Sequence, residues 1–247
     1  MVYTHLRPYG VLFIVTDIQV VILAGGLATR LGYLTEDHPK SLLRIQGKPF
    51  LEYQLELLRK AGIRNVVVCL GHLGEQIERY FGDGENFGVS IRYSTEGKPL
   101  GTAGALKNAE DLLNDIFFCM YGDSYLFLNF TEVMHYFKSQ NKLALMTVFN
   151  NRNLFDRSNT AIEGNLVSRY DKNDNTGNLT YIDYGLNVFR KHALEMAPNN
   201  QFFSLEDLFA RLIALRELLA YQVEERFYEI GSLNGLKDFN QYIKETA

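Results

Sequence analysis

The sequence predicts an α/β fold in three layers, with helices on both faces of a mainly parallel sheet. Three observations carry this. Apolar runs of strand length at Ile18–Leu23, Asn65–Leu70, Val89–Ser94 and Ile116–Tyr121 alternate with amphipathic helical stretches. That β-α-β-α-β-α-β order belongs to parallel sheets covered on both faces. The first and fourth runs end in Gly25-Gly26 and Gly122-Asp123-Ser124, polar turns at the strand ends where such sheets take their ligands.

Taken in order, residues 1–17 hold only a short apolar patch, Val11–Val15, without a basic start or a small-residue cleavage pattern. They read as an N-terminal extension, either a flexible arm or a start assigned too early. Residues 18–247 show no internal repeat and no linker, and read as one domain. Pro49 opens a helix that Gly62 closes, with Leu51, Leu55 and Leu58 on one face. Leu73–Phe81 is a short amphipathic helix and GDGENFG a turn. The loop Thr95–Leu106 feeds a helix running through Leu113. The second half is less regular. A helix at Thr131–Gln140 precedes a strand at Leu143–Val148. The polar stretch Asn150–Thr180 predicts turns and short hairpins around Leu166–Tyr170. Tyr181–Phe189 is a further strand. Ser204 and Asp207 form a capping box before a helix that presents Leu205, Leu208, Phe209 and Leu212. Leu218–Val223 and Arg226–Ile230 are short strands, and Ser232 caps a last helix carrying Leu233, Leu236, Phe239 and Ile243.

Composition narrows the function classes. A hydrophobic content of 47% suits a globular core, and the net charge of −4 is spread without a basic block, which argues against nucleic acid. No run of about 18 apolar residues suggests a membrane span. Cys69 and Cys119 lie inside apolar runs and no C-x-x-C occurs, so buried free thiols and a reducing cytoplasm fit.

The stretch VVILAGGLATRLGYLTEDHPKSLL, from Val20, joins a buried strand, a glycine turn and two cations, Arg30 and Lys40. Glycines let a backbone approach a ligand, and Arg and Lys supply charge to phosphate oxygens, so the stretch reads as a triphosphate cradle. The alternative is a surface turn that merely contains charges. Neither the Walker A spacing nor G-x-G-x-x-G is present. LAGGLATRL, HPKSLL and GKPFLEYQLELL resemble the sugar-1-phosphate nucleotidyltransferase family. The similarity is greatest to guanylyltransferases acting on mannose 1-phosphate or D-glycero-D-manno-heptose 1-phosphate. It runs from about Ile18 to the end, with departures at Ala28, where the family has glycine, and Ser41, where it has proline.

The resemblance implies a Rossmann-like fold of the nucleotide-diphospho-sugar transferase type, with a mixed, mainly parallel sheet. It implies attack by a sugar 1-phosphate oxygen on the α-phosphorus of an NTP, with release of pyrophosphate. The nucleophile is already an anion, so the chemistry needs positioning and charge neutralisation rather than a general base. Arg30, Lys40 and Asp123 take the catalytic roles, and Leu23, Ala24, Gly25, Gly26 and Thr29 face the nucleotide. Asp123, in YGDS, and Glu229, in YEIGS, stand where the family holds Mg²⁺ with two aspartates; the longer Glu229 makes a water-mediated contact an option. Lys172 matches a lysine holding the sugar phosphate, although the flanking residues differ. Gly185 matches a backbone contact to the sugar, and Asp183 and Tyr184 either contact hydroxyls or form an exposed strand face. The base is expected on Thr95–Thr102, with Glu96, Gly101 and Thr102 as its neighbours. A carboxylate at Glu96 accepts two hydrogen bonds from guanine N1–H and N2–H, which favours GTP.

Three readings therefore stand. The first is a cytoplasmic, Mg²⁺-dependent guanylyltransferase, monomer or homodimer, binding GTP and a sugar 1-phosphate, with no nucleic-acid or membrane partner. Within it, a uridylyltransferase on an N-acetylhexosamine or MurNAc 1-phosphate remains open. The second is a non-catalytic nucleotide-sugar-binding paralogue, and the third a metal-dependent glycosyltransferase, which has no need of the glycine cradle.

Overall fold

The structure, a computed structural model, describes residues 18–26, 31–32 and 35–246. The expectations for the 1–17 extension, Thr29 and Arg30 therefore lie outside the described residues. The first half folds as β1 (Gln19–Leu23), β2 (Arg44–Ile45), β3 (Lys48–Pro49), α1 (Phe50–Lys60), β4 (Asn65–Leu70), α2 (Gly74–Phe81), β5 (Ser90–Thr95), α3 (Gly101–Asn108) and β6 (Ile116–Tyr121). β1 pairs in parallel with β4 on one side and β6 on the other, and β5 continues the sheet beyond β4. The chain therefore winds outward from β1 in both directions, and this reversal opens a crevice at the strands' carboxyl ends.

Strand alternation makes the layers. Val20 and Ile22 of β1 point into the cluster formed with Leu51, Leu55 and Leu58 of α1, while Val21 joins Ala103 and Leu106 of α3 on the opposite face. β1 and β4 bury both faces, which is why they are near-continuous apolar runs. The helix expected through Leu113 ends at Asn108, and a 3-10 turn, Glu110–Leu112, carries the chain to β6.

The second half adds β7 (Ser124–Tyr125), α4 (Phe130–Ser139), β8 (Ala144–Asn150), β9 (Thr160–Glu163), β10 (Leu166–Tyr170), β11 (Tyr181–Arg190), α5 (Leu205–Ala214), β12 (Leu218–Val223), β13 (Tyr228–Glu229) and α6 (Leu233–Thr246). β11 runs antiparallel to both β6 and β8, so the nine-stranded sheet is mixed, in the order β5-β4-β1-β6-β11-β8-β12-β10-β9. The polar stretch after Asn150 does form a hairpin, β9–β10. Caps set the helix starts: Asn129 accepts from the amides of Thr131 and Glu132, and Ser204 and Asp207 complete the capping box of α5. The strand expected at Arg226–Ile230 is reduced to β13, which leaves the main sheet to pair with β7.

Candidate active site

A cleft of about 930 Å³ lies over the carboxyl ends of β1, β4 and β6, reaching across to β10 and β11. Leu23, Ala24, Gly25, Gly26, Lys40, Glu96, Gly101, Thr102, Asp123, Lys172, Asp183 and Glu229 line it, so the fold gathers twelve of the sequence-predicted residues.

At its centre Lys40 Nζ meets Asp123 Oδ2 at 2.5 Å. Lys40 comes from a 3-10 turn entered through extended Pro39, and Asp123 from the turn after β6, which projects its carboxylate past the sheet end. The Asp123 side chain is 21% exposed, reachable from the cleft yet set among protein atoms. Its turn is held from two sides. Gln54, buried on α1, donates from Nε2 to the carbonyls of Tyr121 and Ser124 at 2.9 and 2.8 Å. On the other side the amide of Ile230 donates to the Asp123 carbonyl at 2.9 Å, and the register pairs Glu229 with Ser124. Glu229 thus stands beside Asp123, but its carboxylate accepts from the amides of Gly231 and Ser232 and from the Ser232 hydroxyl.

The glycine turn is built for packing as much as for a ligand. A Cβ on Gly25 would sit 3.0 Å from the Gly71 nitrogen, and one on Gly71 would sit 2.6 Å from the Gly25 carbonyl oxygen. The two backbones touch where β1 and β4 end, while Gly26 is exposed with open space beside it.

The Glu96 side chain lies on the same cleft wall. Its Oε2 accepts from the amide of Leu100 at 3.1 Å, at the start of α3. Burial raises its pKa, with that hydrogen bond acting in the opposite direction. Gly101 has φ +73 and packs under the Phe203 carbonyl, 2.8 Å from where a Cβ would lie, so side chains are excluded there. The Thr102 hydroxyl accepts from the amide of Leu205 at 2.7 Å. With Phe203 N to Leu100 O and Gly104 N to Phe203 O, both 2.8 Å, this ties the loop ahead of α3 to the segment ahead of α5.

At the far end Asp183 is 7% exposed. Its Oδ2 accepts from the Tyr121 hydroxyl at 2.5 Å and its Oδ1 from the Gly185 amide at 3.0 Å, while its own amide donates to Asn159 Oδ1. Burial raises the Asp183 pKa, and the Tyr121 hydroxyl and the Lys172 charge draw it back. Lys172 reaches over the Tyr170 ring, 5.9 Å from its centre.

One expectation for this end needs correction. Tyr184 is buried on the other face of β11 and its hydroxyl bonds the backbone of Phe127, accepting at 3.0 Å and donating at 3.2 Å, because alternation sends it away from Asp183. Gly185 sits at φ +100 where the β11–β8 register shifts, and its amide donates to Asp183 Oδ1.

Sequence reasoning missed Gln54, Tyr121, Tyr170 and Asn159. Tyr121 carried a usable signal, as the last strand residue before Gly122-Asp123. The others sit in a helix noted only for its leucines or in aperiodic polar chain. Cys69 and Cys119 are buried free thiols, and burial pushes the Cys69 thiol up to about 12, so neither offers a nucleophile. Among the described residues no group of three His, Cys, Asp or Glu side chains converges on one point, and no helix is long and apolar enough to cross a membrane.

A mainly parallel α/β core with a charged crevice at its switch point, carrying a lysine and a carboxylate, has the form in which α/β proteins take their ligands. The chain belongs to the nucleotidyl transferase family, which matches residues 19–158. It is 31% identical over 224 residues to a UTP–glucose-1-phosphate uridylyltransferase of Synechocystis, covering 79% of this chain and 55% of that protein. To a D-glycero-alpha-D-manno-heptose 1-phosphate guanylyltransferase of Campylobacter jejuni it is 35% identical over 142 residues, 58% of this chain and 62% of the relative. The chain spans about half the length of the curated relatives it matches. Among solved structures, HddC from Yersinia pseudotuberculosis complexed with GMP-PN superposes with a TM-score of 0.76 at 26% identity, covering 92% of this chain and 99% of that one.

Proposed function

We propose that this chain transfers a nucleotidyl group from an NTP, GTP by preference, to a sugar 1-phosphate of the heptose or mannose type. The observation that carries the reading is the Lys40–Asp123 pair, set between the glycine turn and Glu96 on one side and Lys172 and Asp183 on the other. A phosphate oxygen of the sugar 1-phosphate forms a bond to the α-phosphorus. The bond from that phosphorus to the β-phosphate bridging oxygen breaks, and pyrophosphate leaves with the electron pair. Lys40 neutralises phosphate oxygens, Lys172 receives the sugar phosphate, and Asp183 accepts from a sugar hydroxyl. Arg30 is assigned to the triphosphate.

A divalent ion suits the cleft. Asp123 offers a hard carboxylate oxygen, and a site with so few protein ligands leaves positions for water and phosphate, which is the habit of Mg²⁺. When bound, Mg²⁺ supplies charge stabilisation to the phosphates. Support for guanine comes from the Glu96 carboxylate in the cleft wall and from the guanylyltransferase and GMP-PN-bound relatives. A uridylyltransferase reading is favoured by one observation, the Leu100 amide already occupying Glu96 Oε2, together with the Synechocystis relative. Pyrophosphate release over the four NTPs against heptose, mannose, glucose and N-acetylhexosamine 1-phosphates tests the proposal. GTP with a manno-configured phosphate is expected to be fastest; no release with any pair would defeat the enzymatic reading.

A further inference from the structure

Glu229 stands where the resemblance implies a second metal carboxylate and lines the same cleft as Asp123, yet both of its oxygens are engaged by the chain just beyond it. They accept from the amides of Gly231 and Ser232 and from the Ser232 hydroxyl, the donors at the start of α6. Ser232 caps α6 and Gly231 precedes it, so the Ser232 amide has no partner within the helix, and a negative charge there also meets the positive end of the helix dipole. Packing closes the arrangement. A Cβ on Gly235 would overlap the Glu229 carboxylate, and the Gly235 amide donates to Ser232 Oγ at 3.0 Å. The extra methylene of glutamate lets the carboxylate reach these donors, two and three residues further on.

The consequence reaches Asp123 through α6. Phe239 of α6 is fully buried against Phe50, Tyr53 and Tyr125, with ring centres 5.2, 5.6 and 5.0 Å away. Tyr125 belongs to β7, directly after the Asp123 turn, and β13 pairs with β7 while the Ile230 amide holds the Asp123 carbonyl. We infer that Glu229 is a positioning residue and not a metal ligand. It pins the start of α6, α6 and β13 brace the Asp123 turn, and Asp123 faces the ion without a second carboxylate from β13. The inference rests on the proposed function, since it presumes an ion at Asp123.

The test uses the full chain with Mn²⁺ as probe in the presence of GTP, bound metal being read by water-proton relaxation. Asp123→Asn is expected to weaken Mn²⁺ binding by about tenfold to a hundredfold. Glu229→Gln is expected to stay within about twofold of the parent while Tm falls by about 2–4 °C. Its turnover at saturating Mg²⁺ should fall, with the Mg²⁺ concentration for half-maximal rate unchanged. A loss of Mn²⁺ affinity in Glu229→Gln matching that of Asp123→Asn overturns the assignment. Undiminished Mn²⁺ binding in Asp123→Asn overturns the proposed ion position, and this assignment with it. The unmodified protein gives a second measurement, independent of whether a variant folds. The amide proton resonances of Gly231 and Ser232 should keep their positions when Mg²⁺ and GTP are added. An upfield displacement of both, reporting loss of their charged acceptor, also overturns it.

Discussion

The two ends of the cleft are built on different principles. The end at β1 and β4 is made largely of backbone: Gly25 packs on Gly71, the Glu96 amide bonds the Leu70 carbonyl, and Glu96 turns back to the Leu100 amide. The end at β10 and β11 is made largely by side chains: the Tyr121 hydroxyl donates to the Asp183 carboxylate, the Asn159 side chain accepts from the Asp183 amide, and Lys172 lies above. A backbone frame suits a ligand part common to many substrates, such as a triphosphate. A side-chain network suits a part that differs between substrates, because single substitutions can re-aim it. The Lys40–Asp123 pair sits between the two and should serve both.

Asp123→Asn accordingly carries the largest expected effect. It keeps the size of the side chain and removes the charge facing Lys40 and the proposed ion. Pyrophosphate release should fall by about a hundredfold to a thousandfold for every NTP and every sugar phosphate. A loss confined to one substrate would show that Asp123 belongs to one end of the cleft rather than to its centre.

Glu96→Gln tests the backbone-built end. One acceptor for guanine is replaced by a donor, and charge-assisted bonds of this kind contribute about 1.5–3 kcal/mol, so the GTP-to-UTP ratio of kcat/KM should fall about tenfold to a hundredfold. The sign with pH follows from burial. The raised pKa of Glu96 means that it takes up a proton at a higher pH than an ordinary carboxylate. As pH falls through that value, GTP use should decline before UTP use, and Glu96→Gln should abolish the difference. A ratio unmoved by either pH or the substitution would transfer base reading to the backbone near Gly101.

How much was legible in the sequence follows the same division. Asp123 and Glu96 follow strands whose patterns are local signals, and Lys40 lies in the HPKSLL motif, so these residues could be placed from the sequence. Glu229 could be placed beside Asp123 but not oriented, because the donors it meets are the backbone amides of Gly231 and Ser232, whose direction no side-chain pattern marks. Tyr184 was misjudged although alternation along β11 places it on the face opposite Asp183, and the register shift between Asp183 and Asn187 has no mark in the sequence. Gln54 serves the Asp123 turn across 67 and 70 residues of sequence, and no local pattern marks a contact of that kind.

Tyr121→Phe tests the side-chain end. It deletes the hydroxyl that donates to a nearly buried carboxylate and leaves that oxygen short of a partner. The expected cost is about 1–2 kcal/mol, seen as a roughly tenfold rise in KM for the sugar phosphate with KM for GTP unchanged. Equal changes in both would mean that the network supports the whole cleft.

The smallest expected effect belongs to the joint between the ends, and it tests whether they are separate at all. Thr102 lies in the first turn of α3, on the side proposed for the nucleotide, and its hydroxyl accepts from the Leu205 amide at the start of α5. α5 in turn packs Phe209 on Tyr170, ring centres 5.1 Å apart, on the side proposed for the sugar. Thr102→Val keeps the shape and removes the acceptor, leaving the partly buried Leu205 amide unpaired at a cost of about 1 kcal/mol, or roughly 2–4 °C in Tm. The two neighbouring backbone bonds, Phe203 N to Leu100 O and Gly104 N to Phe203 O, keep the segments together. The joint should therefore loosen rather than open, and KM for GTP and for the sugar phosphate should rise together by about twofold to threefold, kcat staying level. Thr102→Ser, which restores the acceptor, should return both values. If only KM for GTP rises, Thr102 touches the nucleotide directly and the ends are independent. If both rise and serine restores both, the frame that holds the base also sets the wall that the sugar meets.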